Sequence, residues 1–443
     1  MCIRDRVVLH HISIEKNPFK IKKNIWALRE LIRIIDREAI SVVHCHNPNG
    51  GVLGRLAAVL SKRKPFVVYT AHGFHFFQGA PVKNWLFYYP AEKVLAKFSD
   101  IIITINHEDY TRADKFHYKK DGGAALIPGV GVDLEKFYPL KEDEVHERDT
   151  LRKNLGIPEH AFHIVSAGEI NKNKNHRVVI EAIAKLARSD IYYSICGEGP
   201  NRKNLETEIK KYGLSDRVFL QGYRNDMPKI WRTADISVFP SLREGMGMAG
   251  LEAMASGIPL IAADNRGTRE YLIDQENGLV CNAASADEFA KAILSLYENK
   301  EQRQRYAARA QNTVEKFSLH ESAAKMSQIY QKLPKVPEVT IENDRERPMI
   351  SVIMGVYNQQ DLEVFEKAVN SVLQQTYRNF EFLIYNDGSS IKKVNTYMKE
   401  LENKDSRIRV IGSKANHGLG YALNQCIASA RGNTLHGWMP MIF

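Results

Sequence analysis

The chain has 443 residues, enough for two or three hydrophobic cores at roughly 150 residues each, and its 44% hydrophobic and 26% charged content excludes a disordered or fibrous protein. No apolar run approaches the roughly 18 to 20 residues of a membrane-spanning helix. Five scattered cysteines (Cys2, Cys45, Cys196, Cys281, Cys426), odd in number and without paired spacing, argue against a disulfide framework or a zinc site and for a reducing, cytoplasmic setting. A net charge of +10 asks for an acidic partner: a phosphorylated small molecule, an anionic membrane surface or nucleic acid. Nucleic acid is set aside, because no zinc knuckle, RNP-type aromatic sequence or leucine heptad is present.

The opening MCIRDR, followed by VVLHHISI, lacks the apolar strand and glycine turn that begin a Rossmann-like domain. It reads as non-native, with an upstream segment expected before it. The charges in this stretch also leave no apolar core for a signal peptide. The spacing of Ile21, Ile25, Leu28, Ile32 and Ile35 predicts an amphipathic helix over residues 21–37. Its other face carries Lys22, Lys23, Arg29, Arg33 and Arg37. Such a face is either simply solvated or a contact for anionic lipid heads, which makes a peripheral position on a membrane a second expectation.

Buried-strand candidates follow at Ile40 (ISVVHCH), Phe66 (FVVYTAH), Asp100 (DIIITIN) and Ala124 (AALIPGVG), separated by helical stretches. That alternation implies a parallel sheet covered on both faces, with ligands beyond the C-terminal strand ends. The polar residues at those ends are His44, His46 and Asn47, then His72 and Gly73, then Asn106, then Gly129, Gly131 and Asp133. His44 and His46 are read as pointing to opposite faces of their strand, which argues against a shared metal. His72 is read either as a strand-end cap or as a residue facing a cleft.

From Lys141 to Asn154 the chain is strongly charged and reads as a solvated loop and helix. A second strand–helix series then begins. In FHIVSAGEINKNKNH the Lys–Asn cluster lies between a strand end and a helix start, where a phosphate binds. In IYYSICGEGP, Gly197 and Gly199 form only a GxG without the third glycine of a dinucleotide fingerprint. They are either a tight turn or the wall of a base pocket. The stretch Pro240 to Ala262, PSLREGMGMAGLEAMASGIPLIA, places Glu244 in a glycine loop and Glu252 inside the helix that follows. A helix start offers open N–H groups and a positive dipole end to a phosphate, and a carboxylate farther along can accept hydrogen bonds from a ribose diol. The bland alternative is that acidic residues near a helix start merely offset its dipole.

The pattern PS-x-x-EG-x-G-x-x-x-LEAMA-x-G-x-P resembles that of family-4 retaining glycosyltransferases, which have the GT-B fold of two Rossmann-like domains. The segment TAHGFHF is similar to that family's cleft histidine region, and GVGVDLEKFYP to its crossing between domains. The resemblance implies that His72 and Glu244 face the transferred sugar. It implies that Gly168, Lys174, Gly197, Gly245, Gly247 and Glu252 bind the nucleotide-sugar donor, with Glu252 on the ribose. Where the family has Gly-Arg-Leu and then a lysine, this chain has Gly168, Glu169, Ile170 and Lys174. Glu169 removes one expected phosphate contact, for which Lys172 is a substitute. No metal or other cofactor is expected for this part.

After a proline- and charge-rich linker over residues 334–348, the pieces ISVIMGVYN, FEFLIYNDGSS and NHGLGYALNQCIASARGN resemble the start of a family-2 glycosyltransferase of the GT-A type. The resemblance puts Asp387 on a nucleotide base. The Asp-x-Asp metal site expected after ARG-x is absent, and the last ten or so residues read as aberrant, so this module is expected to be truncated and inactive. The expected fold is therefore α/β: an N-terminally incomplete Rossmann-like domain over residues 1–140 on the acceptor side, a donor-side one over 141–333, and a partial GT-A-like module over 349–443. The expected activity is transfer of a sugar, with retention, from a nucleotide sugar (uridine as the working base) to a lipid-linked or polysaccharide acceptor. Its rivals are a non-hydrolysing nucleotide-sugar epimerase and a non-catalytic nucleotide- or membrane-binding fragment.

Overall fold

The computed structural model describes residues 9–15, 21–333, 349–375, 377–432 and 434–437, and the chain divides into two compact units, Met1–Lys335 and Val336–Phe443. The opening MCIRDR and the linker at 334–348 lie outside the described residues.

The first unit begins with α1 (Ile21–Arg37), β1 (Val42–His46), α2 (Pro48–Leu60), β2 (Phe66–Ala71), α3 (Val82–Ala96), β3 (Ile101–Thr104), α4 (His107–Ala113) and β4 (Gly123–Leu126). Its strands pair in parallel in the order β1-β2-β3-β4. Every crossover steps the same way, so right-handed connections put α2, α3 and α4 on one face. Cys45, Tyr69 and Ile102 point to that face and pack with Phe74, Phe76, Ala96 and Ala113. The alternate residues Val68 and Ile103 point to the other face and join a second cluster. Helix α1 has the predicted bounds; of its predicted stripe Ile35 is buried and Leu28 and Ile32 are half-buried, but Ile25 is exposed and Ala27 is buried in its stead.

The unit continues with α5 (Val145–Asn154), β5 (Phe162–Ala167), α6 (His176–Leu186), β6 (Ile191–Cys196), α7 (Arg202–Lys211), β7 (Val218–Gly222), α8 (Met227–Trp231), β8 (Ile236–Phe239), α9 (Met248–Ala255), β9 (Leu260–Ala263), β10 (Gly278–Cys281), α10 (Ala286–Glu298), α11 (Lys300–Val314) and α12 (Leu319–Tyr330). The second sheet is parallel, ordered β10-β9-β8-β5-β6-β7. The chain builds outward from β5 through β6 and β7, then restarts at β8 on the opposite side. The switch between β5 and β8 opens a crevice at their C-terminal ends, where such sheets bind ligands. After β9, residues 265–267 lead into a single 3-10 turn over Thr268–Glu270. Asn265 ends the strand geometry there, its Oδ1 accepting the N–H groups of Gly267 (3.0 Å) and Thr268 (3.1 Å).

Helix α12 returns to the first sheet. Ser318 caps its start by accepting the Glu321 N–H, and Leu319 N–H donates to Val132 O at 2.8 Å. At its far end the Tyr330 hydroxyl lies 2.6 Å from His44 Nδ1. One apolar cluster spans the two sheets, bringing Val68, Ile103, Ile105 and Ile127 together with Phe239, Met246, Leu251 and Met254. Fully buried side chains of this size contribute about 1.5–3 kcal/mol each, so this shared core holds the crevice walls together.

The second unit comprises β11 (Ile350–Val356), α13 (Leu362–Leu373), β12 (Phe380–Asp387), α14 (Lys392–Lys404), β13 (Ile408–Ser413), α15 (Leu419–Ser429) and β14 (Thr434–Gly437). Its parallel sheet is ordered β13-β12-β11-β14. Strand β14 falls in the stretch expected to be aberrant, yet Thr434–Gly437 pair in register with Ile350–Ile353. The rest of that stretch, residues 438–443, lies outside the described residues.

Candidate active site

The crevice is built around the loop between β8 and α9. Gly247 is its last residue and caps α9 in a left-handed conformation (φ 89°, ψ 62°). A Cβ there would lie 2.7 Å from the Phe239 ring, so only glycine lets the chain turn this tightly into the helix. The first residues of α9 have no carbonyl four positions back within the helix; the Gly250 N–H donates to Gly247 O at 3.1 Å, and the N–H groups of Met248 and Ala249 lie at the helix start beside the loop. The loop after β5 is fastened to this one: Leu242 N–H donates to Asn173 O at 2.8 Å, and Asn173 Nδ2 to Arg243 O at 3.0 Å. Lys174 is thereby carried to Glu244, its Nζ 2.7 Å from Oε1 and 4.9 Å from the centre of the Phe239 ring. Gly168 makes room for the lysine stem, since a Cβ there would sit 3.1 Å from Lys174 Cε.

Glu252, one turn farther along α9, is half-buried, and burial raises its carboxyl to about 7. The only opposing influence is the indole N–H of buried Trp231, which lies close without reaching hydrogen-bond geometry. A carboxyl with no fixed internal partner in a ligand crevice is suited to accept hydroxyl protons from a bound molecule.

His72, at the end of β2, forms the opposite wall. Its carbonyl oxygen is pressed so closely on Gly245 that a Cβ there would lie 2.0 Å away. The structure therefore brings His72 against the loop that carries Glu244. His72 Nε2 is 3.0 Å from His46 Nδ1, and the His46 and His44 ring centroids are 4.4 Å apart. His44 Nε2 is 2.7 Å from Thr70 Oγ1. The expectation that His44 and His46 face opposite ways is wrong, because residues two apart on a strand share a face. Burial, with His46 and His72 beside it, pushes His44 down to about 4, and burial lowers His72 as well. Among the described residues, no group of three or more His, Cys, Asp or Glu side chains is arranged to hold a metal ion.

Sequence reasoning placed Asn106 at a strand end but did not find the Asp109–Arg266 pair with which it clamps the two walls. Arg266 is buried, with Nη1 2.6 Å from Asp109 Oδ1, Nη2 donating to Phe74 O at 2.7 Å and Nε donating to Glu244 O at 3.3 Å. Its guanidinium also stacks 4.7 Å from the Phe77 ring centre. Asn106 caps α4 and donates to Asp109 Oδ2 (2.9 Å) and to Gly245 O (3.0 Å). Burial pushes the Asp109 carboxyl up, while Arg266, the Asn106 amide and the Phe74 N–H work against that rise. His107 Nδ1 pairs with Glu270 Oε2 at 2.6 Å beside this clamp. The one signal available was Asn-x-x-Asp at a strand–helix junction, which marks the cap but not its partner in the other sheet.

The remaining expected site residues have internal partners or line other surfaces. Gly197 N–H donates to Gly222 O at 2.7 Å and Gly168 N–H to Cys196 O at 3.0 Å, so both glycines fasten the ends of β5, β6 and β7 together. Lys172 lines a groove of about 460 Å³ with Arg177, Asn201 and Asn204, between the first turns of α6 and α7, whose lining includes neither Lys174 nor Glu244. In the second unit Asp387 is buried at the end of β12. Its two oxygens accept the N–H groups of His417 (3.0 Å) and Gly418 (2.8 Å), so it organises the loop before α15.

Two parallel α/β sheets facing each other across such a crevice, bridged by a returning C-terminal helix, define the class of GT-B-type transferases. Residues 147–313 match the model for glycosyl transferases group 1, residues 3–106 that for glycosyl transferase 4-like proteins, and residues 351–439 that for glycosyl transferase family 2. The chain is 40% identical over 322 residues to a putative glycosyltransferase, EpsD, of Bacillus subtilis (strain 168), covering 72% of this chain and 83% of that protein. It is 31% identical over 283 residues to a UDP-Gal:alpha-D-GlcNAc-diphosphoundecaprenol alpha-1,3-galactosyltransferase of Escherichia coli, covering 63% and 72%. Among solved structures, Anabaena Alr3699/HepE in complex with UDP aligns with a TM-score of 0.61 at 19% identity, over 69% of this chain and 82% of that one. Sucrose-phosphate synthase from Thermosynechococcus elongatus aligns with a TM-score of 0.58 at 21% identity, over 71% and 79%. At these identities the structural likeness is one of fold. The chain belongs to the group 1 glycosyl transferases, carries a family 2 module after them, and is a glycosyltransferase.

Proposed function

We propose that the first unit transfers a sugar from a uridine-diphosphate sugar to a lipid-linked or polysaccharide acceptor, with retention of anomeric configuration. The observation that carries this reading is the Lys174–Glu244 pair at the open start of α9, directly opposite His72. In the proposed mechanism the donor diphosphate takes the α9 N–H groups and displaces Glu244 from Lys174. Those fixed positive groups then stabilise the charge that develops on the leaving diphosphate. Glu244, released from its ion pair, accepts a hydroxyl of the donor sugar. Glu252 accepts the ribose hydroxyls, and His72 lies over the reacting carbon. Lys174 and the helix supply the positive charge the leaving group needs, so the scheme calls for no metal ion. Uridine as the base and a lipid-linked acceptor are supported by the relatives: the neighbour from Anabaena holds UDP, and the E. coli relative is named for a diphosphoundecaprenol acceptor.

The test is an assay of the full chain with a UDP-sugar and a polyprenyl-diphosphate-linked sugar, following the anomeric proton of the product by NMR. The reading predicts an acceptor-dependent product with the donor's anomeric configuration, formed equally well in a chelator. An epimerised sugar released without acceptor, or an inverted linkage, would overturn it.

A further inference from the structure

Helix α3 is apolar on both sides. Its inward side is accounted for: Trp85 and Tyr89 pack against Phe76, Leu95 and Ala96 are buried, and Glu92 pairs with Arg55 at 2.9 Å. Its outward side is not. Val82 is 73% exposed, Leu86 67%, Phe87 74% and Val94 54%. Val82, Leu86, Pro90 and Val94 recur every four positions and, with Phe87 beside Leu86, make one stripe along a helix about 22 Å long. A helix apolar all round is normally buried, and contiguous exposed apolar surface on this scale marks an interaction site.

The rim of the stripe is cationic. Lys83, Lys93 and Lys97 are exposed, and among the described residues they pair with no carboxylate. The only acid on the helix, Glu92, is turned inward. On α1, by contrast, three of the five cations of the polar face are paired, Lys23 with Glu15, Arg33 with Glu30 and Arg37 with Glu38, which among the described residues leaves Lys22 and Arg29. An apolar stripe with unneutralised lysines on its rim matches the boundary between acyl chains and anionic headgroups. Helix α3 is also tied to the crevice. Asn84 Nδ2 donates to His75 O at 2.8 Å and the Tyr88 ring stacks on His75 at 4.7 Å, three residues from His72.

We propose that the outward face of α3 is the seat of this enzyme on an anionic lipid bilayer, with Leu86 and Phe87 entering the acyl boundary and Lys83, Lys93 and Lys97 at the headgroups. On the proposed function, a lipid-linked acceptor then reaches the His72 wall from the membrane plane. The docking itself rests only on α3.

The test is co-sedimentation of the full chain with vesicles of phosphatidylcholine alone or mixed with phosphatidylglycerol. The chain should bind the mixed vesicles, and added salt should weaken that binding. Leu86→Ser/Phe87→Ser and Lys83→Glu/Lys93→Glu should each weaken it by about tenfold or more, with donor titration and melting temperature as in wild type. Four results would overturn the proposal: no binding to either vesicle, variants that bind as wild type does, loss of binding in Lys22→Glu/Arg29→Glu but not in the α3 variants, or a wild-type dimer that Leu86→Ser/Phe87→Ser dissociates. Vesicle binding that persists in a protein with no affinity for any nucleotide sugar would sink the proposed function and leave the docking face intact.

Discussion

Glu252 stands at about 7 against an ordinary value of 4.5 because burial disfavours its charged form and no cation faces it. The folded protein therefore holds this proton through a window in which the unfolded chain has lost it. The group's contribution to stability is fully present below 4.5 and is lost as pH rises through about 7. Donor binding should run the other way, since the ionised carboxylate is the better acceptor for ribose hydroxyls. In wild type the donor Kd should fall between pH of about 6 and about 8, and in Glu252→Gln it should be flat over that window. A wild-type Kd independent of pH would remove Glu252 from the ribose. Glu244 and Glu252 stood out in the sequence because they share one loop and the helix that follows it, whereas Lys174, 70 positions from Glu244, was singled out by the family resemblance. Asp109 and Arg266 were not, because they are 157 positions apart and only the packing of one sheet against the other makes them a pair. The shared face of His44 and His46 was legible, but the two-residue strand period was misapplied.

At the scale of elements, the strands emerged close to where apolar runs placed them, because each is buried by helices and reads as a nearly continuous hydrophobic stretch. The phase of a helix is harder to read. The period of α1 gave its ends and placed Ile35 inside, yet Ile25 lies on the exposed side because it is α2 that decides which stripe is covered. The outward apolar face of α3 escaped notice for the same reason: sequence alone does not separate a doubly covered helix from one covered on a single side. The loop before α9 offers a sharp test. Gly245→Ala would set a methyl carbon against the His72 carbonyl, and backbone flanks the contact on both sides. The loop must shift, at an overpacking cost of about 1–3 kcal/mol. The melting temperature should drop, and kcat should fall more than donor affinity does. A variant with wild-type kcat would show that the spacing between His72 and Glu244 is not critical.

At the scale of the molecule, the first unit is held as one body by its shared core and by the Asp109–Arg266 clamp. Asp109→Ala leaves a buried guanidinium without its carboxylate, and breaking such a pair costs about 3–5 kcal/mol. Denaturant melts of the full chain should show that loss in the transition of the first unit, while Asp109→Asn, which keeps two hydrogen-bonding groups, should lose less. Equal stability of Asp109→Ala and wild type would mean that the apolar core alone holds the walls. The two-part organisation was legible from the break in composition after Leu333. The clamp was not, because it exists only in the assembled crevice.

The central claim is that the β8–α9 crevice binds a nucleotide-sugar donor. The most direct measurement is calorimetric titration of the full chain with UDP-, GDP- and ADP-sugars, wild type beside Glu252→Ala. The prediction is saturable binding of the UDP-sugar, weakened by about 1–3 kcal/mol in Glu252→Ala, the scale of a lost charge-assisted hydrogen-bond partner. Folded wild-type protein that binds none of the three, or a Glu252→Ala variant that binds the donor as tightly as wild type, would contradict it.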